Sequence, residues 1–179
     1  MKYNKGIFID SDHHIPAKRL SAAAYAEAMS SLIIACADVV IASPESKTIY
    51  LAKRNVKPMR GYWTIGGRRF AGEASVEAAH RNLLRETRID ADESRFTHIT
   101  TLEIIWRDRK EAPTNQGKHD IIQFFSLELS EEELLKANAS LISSEYEAMS
   151  LKAFTFQELL NHNISPVMRH IHRLLFPKD

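Results

Sequence analysis

Cysteine is nearly missing from this chain of 179 residues, where Cys36 stands alone. One thiol excludes an intrachain disulfide framework and any zinc site built from several cysteines. Cys36 lies in an apolar run, which marks it as a small buried hydrophobe rather than a reactive group. Net charge is missing too: 24 Lys and Arg face 23 Asp and Glu, leaving +1. That balance excludes a general nucleic-acid coat, which needs a broad basic excess. Long apolar runs are also lacking, since the strongest, residues 32–42, is short and interrupted by Asp38. A membrane span needs about 20 apolar residues, so this run reads as a buried strand. No basic stretch followed by an apolar one opens the chain, and the expectation is a cytoplasmic protein with no membrane partner.

What is present is ordinary globular material, 44% hydrophobic and 26% charged. That is enough for one real core, and no repeat, low-complexity tract or linker divides it. Residues 1–30 read as an N-terminal extension with a short helix, and residues 31–179 as the domain proper. The extension holds Asp10, Asp12, His13 and His14, a ligand-like cluster in a polar leader. An Ala-rich helix is expected over 17–30, with Pro16 at its start. Strands are expected over 32–42 and 48–53, joined by a turn at 43–46. A helix follows from Ser75 to about Arg88, with Ser75 as N-cap. Further strands read over 96–106 and 121–129, with a polar loop, 107–118, between them. Ser130 and Glu133 form a capping box opening an acidic helix. Helices over 155–161 and 165–176 close the chain; His170 and His172, two apart, do not share a face.

Positive charge gathers in one place. Between residues 53 and 69 lie Lys53, Arg54, Lys57, Arg60, Arg68 and Arg69, with no acidic residue among them. Beside the Gly66-Gly67 pair, such a stretch suits a compact anion such as phosphate, because glycine lets backbone amides approach and arginine binds bidentately. A solvated basic face is the alternative on charge alone. The downstream residues decide between them. Gly67, Glu73, Arg81, Leu83, Glu86 and Ile89, with Gly72, Ala78 and Ala79, stand at the spacing of the Nudix box, and the chain resembles the Nudix superfamily there. The resemblance implies an α/β fold, a Nudix-type α/β/α sandwich with a mixed sheet and a loop–helix motif whose carboxylates hold Mg²⁺ on a diphosphate. The departures are as informative. Asn82 and Arg85 replace two of three glutamates, Arg88 replaces a glycine, and Ile65 replaces the proline before Gly-Gly. Asn82, Arg85 and Glu86 share a helix face that carries one carboxylate instead of three.

This reduced set is similar to that of GDP-mannose mannosyl hydrolases. The stretches 51–58, 61–63 and 66–68, His119 with the strand after it, and 129–135 resemble the same branch. The resemblance implies that water attacks the sugar carbon, so that nucleoside diphosphate and sugar are released by C–O cleavage. The Gly66 carbonyl and Glu86 would then ligate Mg²⁺, or Mn²⁺, with Glu147 at a further metal-ligand position. Arg54 and Arg68 would neutralise the leaving group, Asp38 would contact the sugar, and His119 would count among the catalytic residues. Tyr62, beside Trp63, is the candidate to bind the substrate's base. Arg81 is placed to orient Glu73. Ala148 stands where the branch has its general-base histidine, leaving Glu145 or Glu147 for that role. Plainer roles stay open: Asp38 as a buried carboxylate holding a turn, His119 as a strand end, and Tyr62 and Trp63 as core. The implied partner is a small nucleotide sugar, and the branch implies a homodimer. Two alternatives stand beside this reading. One is a pyrophosphohydrolase cutting P–O, and the other is a domain that keeps the phosphate loop and binds without catalysing.

Overall fold

The computed structural model describes residues 2–9, 15–16 and 18–177. The cluster of Asp10, Asp12, His13 and His14 lies outside the described residues. Within the leader, β1 (Lys2–Asn4) and β2 (Ile7–Ile9) pair as a small antiparallel hairpin. Lys5 and Gly6 turn it with positive φ of 45° and 85°. The first helix, α1 (Ala22–Ser31), starts later than proline placement suggests. Ser21 caps it, its Oγ accepting from the Ala24 amide, so a side-chain acceptor and not Pro16 sets the start.

The main sheet is built from β3 (Ile34–Ser43), β4 (Thr48–Arg54), β5 (Gly61–Trp63), β6 (Ile65–Arg68), β7 (Thr97–Trp106), β8 (Lys118–Leu127) and β9 (Lys152–Phe154). The order runs β5-β4-β3-β8-β7, with β6 also pairing β3 and β9 pairing β4. β3 and β8 run parallel, and the remaining pairs are antiparallel, so the sheet is mixed. Two expectations change here. The Gly66-Gly67 segment, in none of the expected strands, belongs to strand β6. Strand β8 begins at Lys118 and not at 121, which takes Lys118 out of the expected loop and makes Lys118, His119 and Asp120 alternating strand residues.

Helices α2 (Ser75–Thr87) and α3 (Glu131–Ala139) cover one face of the sheet. There Ala78, Ala79, Leu83 and Ala137 pack on Val39, Ile41, Phe125 and Leu127. Helices α4 (Phe156–Asn161) and α5 (Pro166–Leu175) cover the other. Leu159, Met168 and Ile171 pack there on Val40, Leu51 and Phe124. The result is the expected α/β sandwich. The Ser130–Glu133 capping box forms as expected. The cap of α2 does not: Ala74 occupies it, and Glu77 accepts from its amide at 2.8 Å. Ser75 is the first helical residue. At the other end Arg88 takes the left-handed conformation, φ 60°, that the family's glycine would adopt without strain.

Candidate functional site

Helix α2 buries three polar side chains along with its alanines: Asn82, Glu86 and Thr87. Burial of an amide and a carboxylate is tolerated only when each is paired, so their partners define what they do. Asn82 Nδ2 donates to the carbonyls of Ala37 and Gly67, at 3.3 and 3.1 Å. Its Oδ1 accepts from Arg81. Asn82 thus pins β6 and β3 to the helix. Arg81 also grips Glu73 through two hydrogen bonds and donates to the Arg68 carbonyl, so it orients that carboxylate as its position in the box implies.

Glu86 is 1% exposed. Its Oε2 accepts from the Tyr146 hydroxyl at 2.6 Å and from the Gly66 amide at 3.3 Å. Its Oε1 is in contact with the Arg85 guanidinium. Burial raises its pKa to about 7, against the pull of Arg85, Tyr146 and Arg54. Gly66 lies flat on Asp38, and a Cβ there would overlap the Asp38 carboxylate and backbone. Asp38 Oδ2 accepts from Trp63 Nε1 at 3.1 Å and Thr64 Oγ1 at 2.8 Å. Burial lifts its pKa to about 6, with Thr64 and Arg54 opposing.

These groups border a cleft of about 420 Å³. Eight cationic and five acidic side chains line it, so it is more positive than the chain as a whole. Arg54 reaches it from β4, its Nη2 on Glu145 Oε2 at 3.0 Å and its guanidinium over the Tyr146 ring. Lys110 holds the other oxygen of Glu145 at 3.0 Å. Arg68 stacks 4.0 Å from the centre of the Tyr25 ring, and no carboxylate among the described residues pairs with it.

Of the residues singled out from sequence, Asp38, Arg54, Gly66, Arg68 and Glu86 meet at this cleft. Glu147, His119 and Tyr62 do not. Glu147 is exposed and paired with Lys53 at 2.9 Å. Glu145 is the acid of that loop that faces the cleft. His119 points to the opposite face of β8 from Asp120 and lies 3.3 Å from Glu103. Tyr62 packs edge-on against Phe154 at 4.8 Å. His172, the more telling of the two late histidines, is buried on the Lys47 carbonyl.

The cleft is also lined by residues that sequence reading passed over, Lys110, Lys118, Asp120 and Trp106, while Tyr146, missed as well, is buried on Glu86. Lys118 and Asp120 form a buried ion pair at 2.8 Å, and Trp106 Nε1 donates to the same Asp120 oxygen at 2.8 Å. The signal for Lys118 and Asp120 is the alternation Lys118-Asp120-Ile122, which runs out of the end of the expected polar loop into the strand.

A divalent ion does not fit the residues present. Both Glu86 oxygens are taken by protein donors, one of them the cation Arg85. Asn82 spends its amide on the backbone carbonyls of Ala37 and Gly67. Among the described residues no three acidic, histidine or cysteine side chains are grouped to hold a metal. Nor is any helix there long and apolar enough to cross a membrane.

A family model described as NUDIX domain matches residues 34–175. The MutT NUDIX hydrolase of Burkholderia pseudomallei superposes with a TM-score of 0.56 at 19% identity, covering 81% of this chain and 97% of that one. The dihydroneopterin triphosphate pyrophosphohydrolase of E. coli gives 0.55 at 19% identity, over 78% and 92%. The MutT protein of Methanosarcina mazei Go1 gives 0.55 at 16% identity, over 80% and 92%. At these identities the likeness shows the fold. No curated protein matches the chain.

Proposed function

The chain belongs to the NUDIX domain family, and from that premise we propose that it hydrolyses a nucleoside-diphosphate sugar, of the GDP-mannose type, by C–O cleavage. The observation that carries this reading is the gathering of Arg54, Arg68 and Arg85 around the two-glycine strand. Water oxygen bonds to the sugar carbon, the bond from that carbon to the diphosphate oxygen breaks, and the electron pair leaves on the diphosphate. Three guanidiniums in a partly buried cleft offset that charge as it develops. Glu145, held by Arg54 and Lys110, takes the proton of the attacking water. Asp38 is a positioning residue that fixes Trp63 and Thr64. Attack at phosphorus would call on a cluster of carboxylate-bound metal ions, and Asn82 and Arg85 stand where its ligands would be.

Family members generally use divalent metals such as Mg²⁺, and the sequence resemblance implies Mg²⁺ or Mn²⁺. The closed contacts of Glu86 support turnover that persists in EDTA. A second reading is a nucleotide-binding domain without catalysis. It is favoured by the Arg85–Glu86 contact, which occupies the box's remaining carboxylate.

A panel of nucleotide sugars in ¹⁸O-water, each run with Mg²⁺ and with EDTA, tests both. Label in the free sugar is the expected result; label in phosphate overturns C–O cleavage. Tight binding of nucleoside diphosphate with no turnover in either buffer leaves the second reading.

A further inference from the structure

The Lys118–Asp120 pair takes no part in the chemistry above, yet it lines the same cleft. Asp120 is 2% exposed. Its Oδ2 is used twice, by Lys118 Nζ and by Trp106 Nε1, while Oδ1 is buried with no hydrogen-bond partner. A buried carboxylate oxygen left unpaired is costly, and native structures rarely keep one without a use. Lys118 is itself largely buried; burial works against its charge, but Asp120, close beside it, holds its pKa above the usual lysine range. Its ammonium has N–H groups to spare beyond the one given to Asp120.

Register places the pair relative to the arginines. Asp38 is the Cα partner of Gly66, Cys36 of both Arg68 and Ile122, and Ile34 of Asp120. Four residues of β3 therefore separate the Gly66 end of the cleft from the Asp120 end, roughly 13 Å along the strand. Tyr25, stacked under Arg68, bridges the interval, and Cys36, Ile122 and Trp106 wall the Asp120 end. A sugar in such walls would leave hydroxyls facing apolar atoms, whereas a planar heterocycle needs polar partners only along one edge.

We infer that Asp120 and Lys118 form a base subsite that reads the lactam edge of a keto base, Asp120 Oδ1 accepting the ring N–H and Lys118 donating to the adjacent carbonyl. Guanine, hypoxanthine and uracil carry that edge; adenine and cytosine carry donor and acceptor in the reverse order. With the diphosphate anchored at the arginines the base does not turn over, so the order is read. The inference rests on the cleft being a nucleoside-diphosphate site.

The test is calorimetric titration of the full chain with GDP, IDP, UDP, ADP, CDP and inorganic pyrophosphate. The keto-base nucleotides are expected to bind about ten-fold tighter than ADP and CDP. In Asp120→Asn, Trp106 and Lys118 both demand an acceptor at the Oδ2 position, so the amide nitrogen is forced to the Oδ1 position. GDP then weakens to the level of ADP, while pyrophosphate binds as before. Lys118→Met gives the same loss by removing the donor, and circular dichroism confirms that both variants fold. Equal affinity for all five nucleotides, a preference for ADP or CDP, or unchanged GDP binding by Asp120→Asn overturns the subsite. If pyrophosphate binds while the bases are not distinguished, the subsite alone falls. If pyrophosphate does not bind, the diphosphate reading falls with it.

Discussion

Glu86 is held in a protonation balance by its surroundings. Its pKa rises from 4.5 to about 7 because burial penalises the charge more than Arg85 and Tyr146 favour it. The folded state therefore binds this proton more tightly than the unfolded chain. Its contribution to stability is present in full below pH 4.5 and is lost as pH rises through about 7. Asp38 behaves alike, with its window between 3.8 and about 6. Glu86→Gln should flatten the decline in urea-unfolding free energy between pH 5 and pH 8, by on the order of 2 kcal/mol. An unchanged pH profile would show that Glu86 ionises as freely in the fold as outside it. Single residues also mark the limit of sequence reading. Glu86 is legible because the box fixes its spacing on a helix. Glu145 and Glu147 are equally acidic, and only the path of the turn separates the one on Arg54 from the one on Lys53.

Helix α2 and strand β6 work as one element. Asn82 ties them through the Gly67 carbonyl, Glu86 through the Gly66 amide, and Gly66 has no room for a side chain over Asp38. The helix was readable from its periodicity, and its polar face from the same count of three and four. Strand β6 was not, because Gly-Gly-Arg-Arg carries no strand propensity and is held extended by pairing with β3. The start of β8 was hidden likewise, since its first three residues are polar and their partners lie on β7 and β3. The substitutions at 82 and 85 give this element its own prediction. The wild-type melting temperature should not move with Mg²⁺. A variant with Asn82→Glu and Arg85→Glu should gain a Mg²⁺-dependent rise of several degrees, since saturation near 100 Kd adds about 2.7 kcal/mol. Magnesium stabilising the wild type to the same extent would refute the fit argued for Glu86.

The whole molecule is a mixed sheet closed on both faces by helices, with a cleft where the cover is incomplete. That sandwich was expected from the resemblance. The meeting of β4, β6, α2 and the loop at 145 around one anion site came only with the fold. Near-neutral overall, the chain concentrates its cations at that cleft, and binding there should weaken with ionic strength. Raising salt from 0.05 to 0.5 M is expected to lower nucleoside-diphosphate affinity by about ten-fold, read by titration, because partly exposed charges are screened within a Debye length. A salt-independent affinity would place the ligand elsewhere. The chain has only two tryptophans, Trp63 and Trp106. Both border the cleft, their rings packed edge to face at 5.4 Å, and each donates its indole N–H to one of the buried aspartates. Light absorbed at the red edge of the aromatic band is thus emitted from the cleft alone. Quenching or a wavelength shift, without any label, becomes a direct optical gauge of its occupancy.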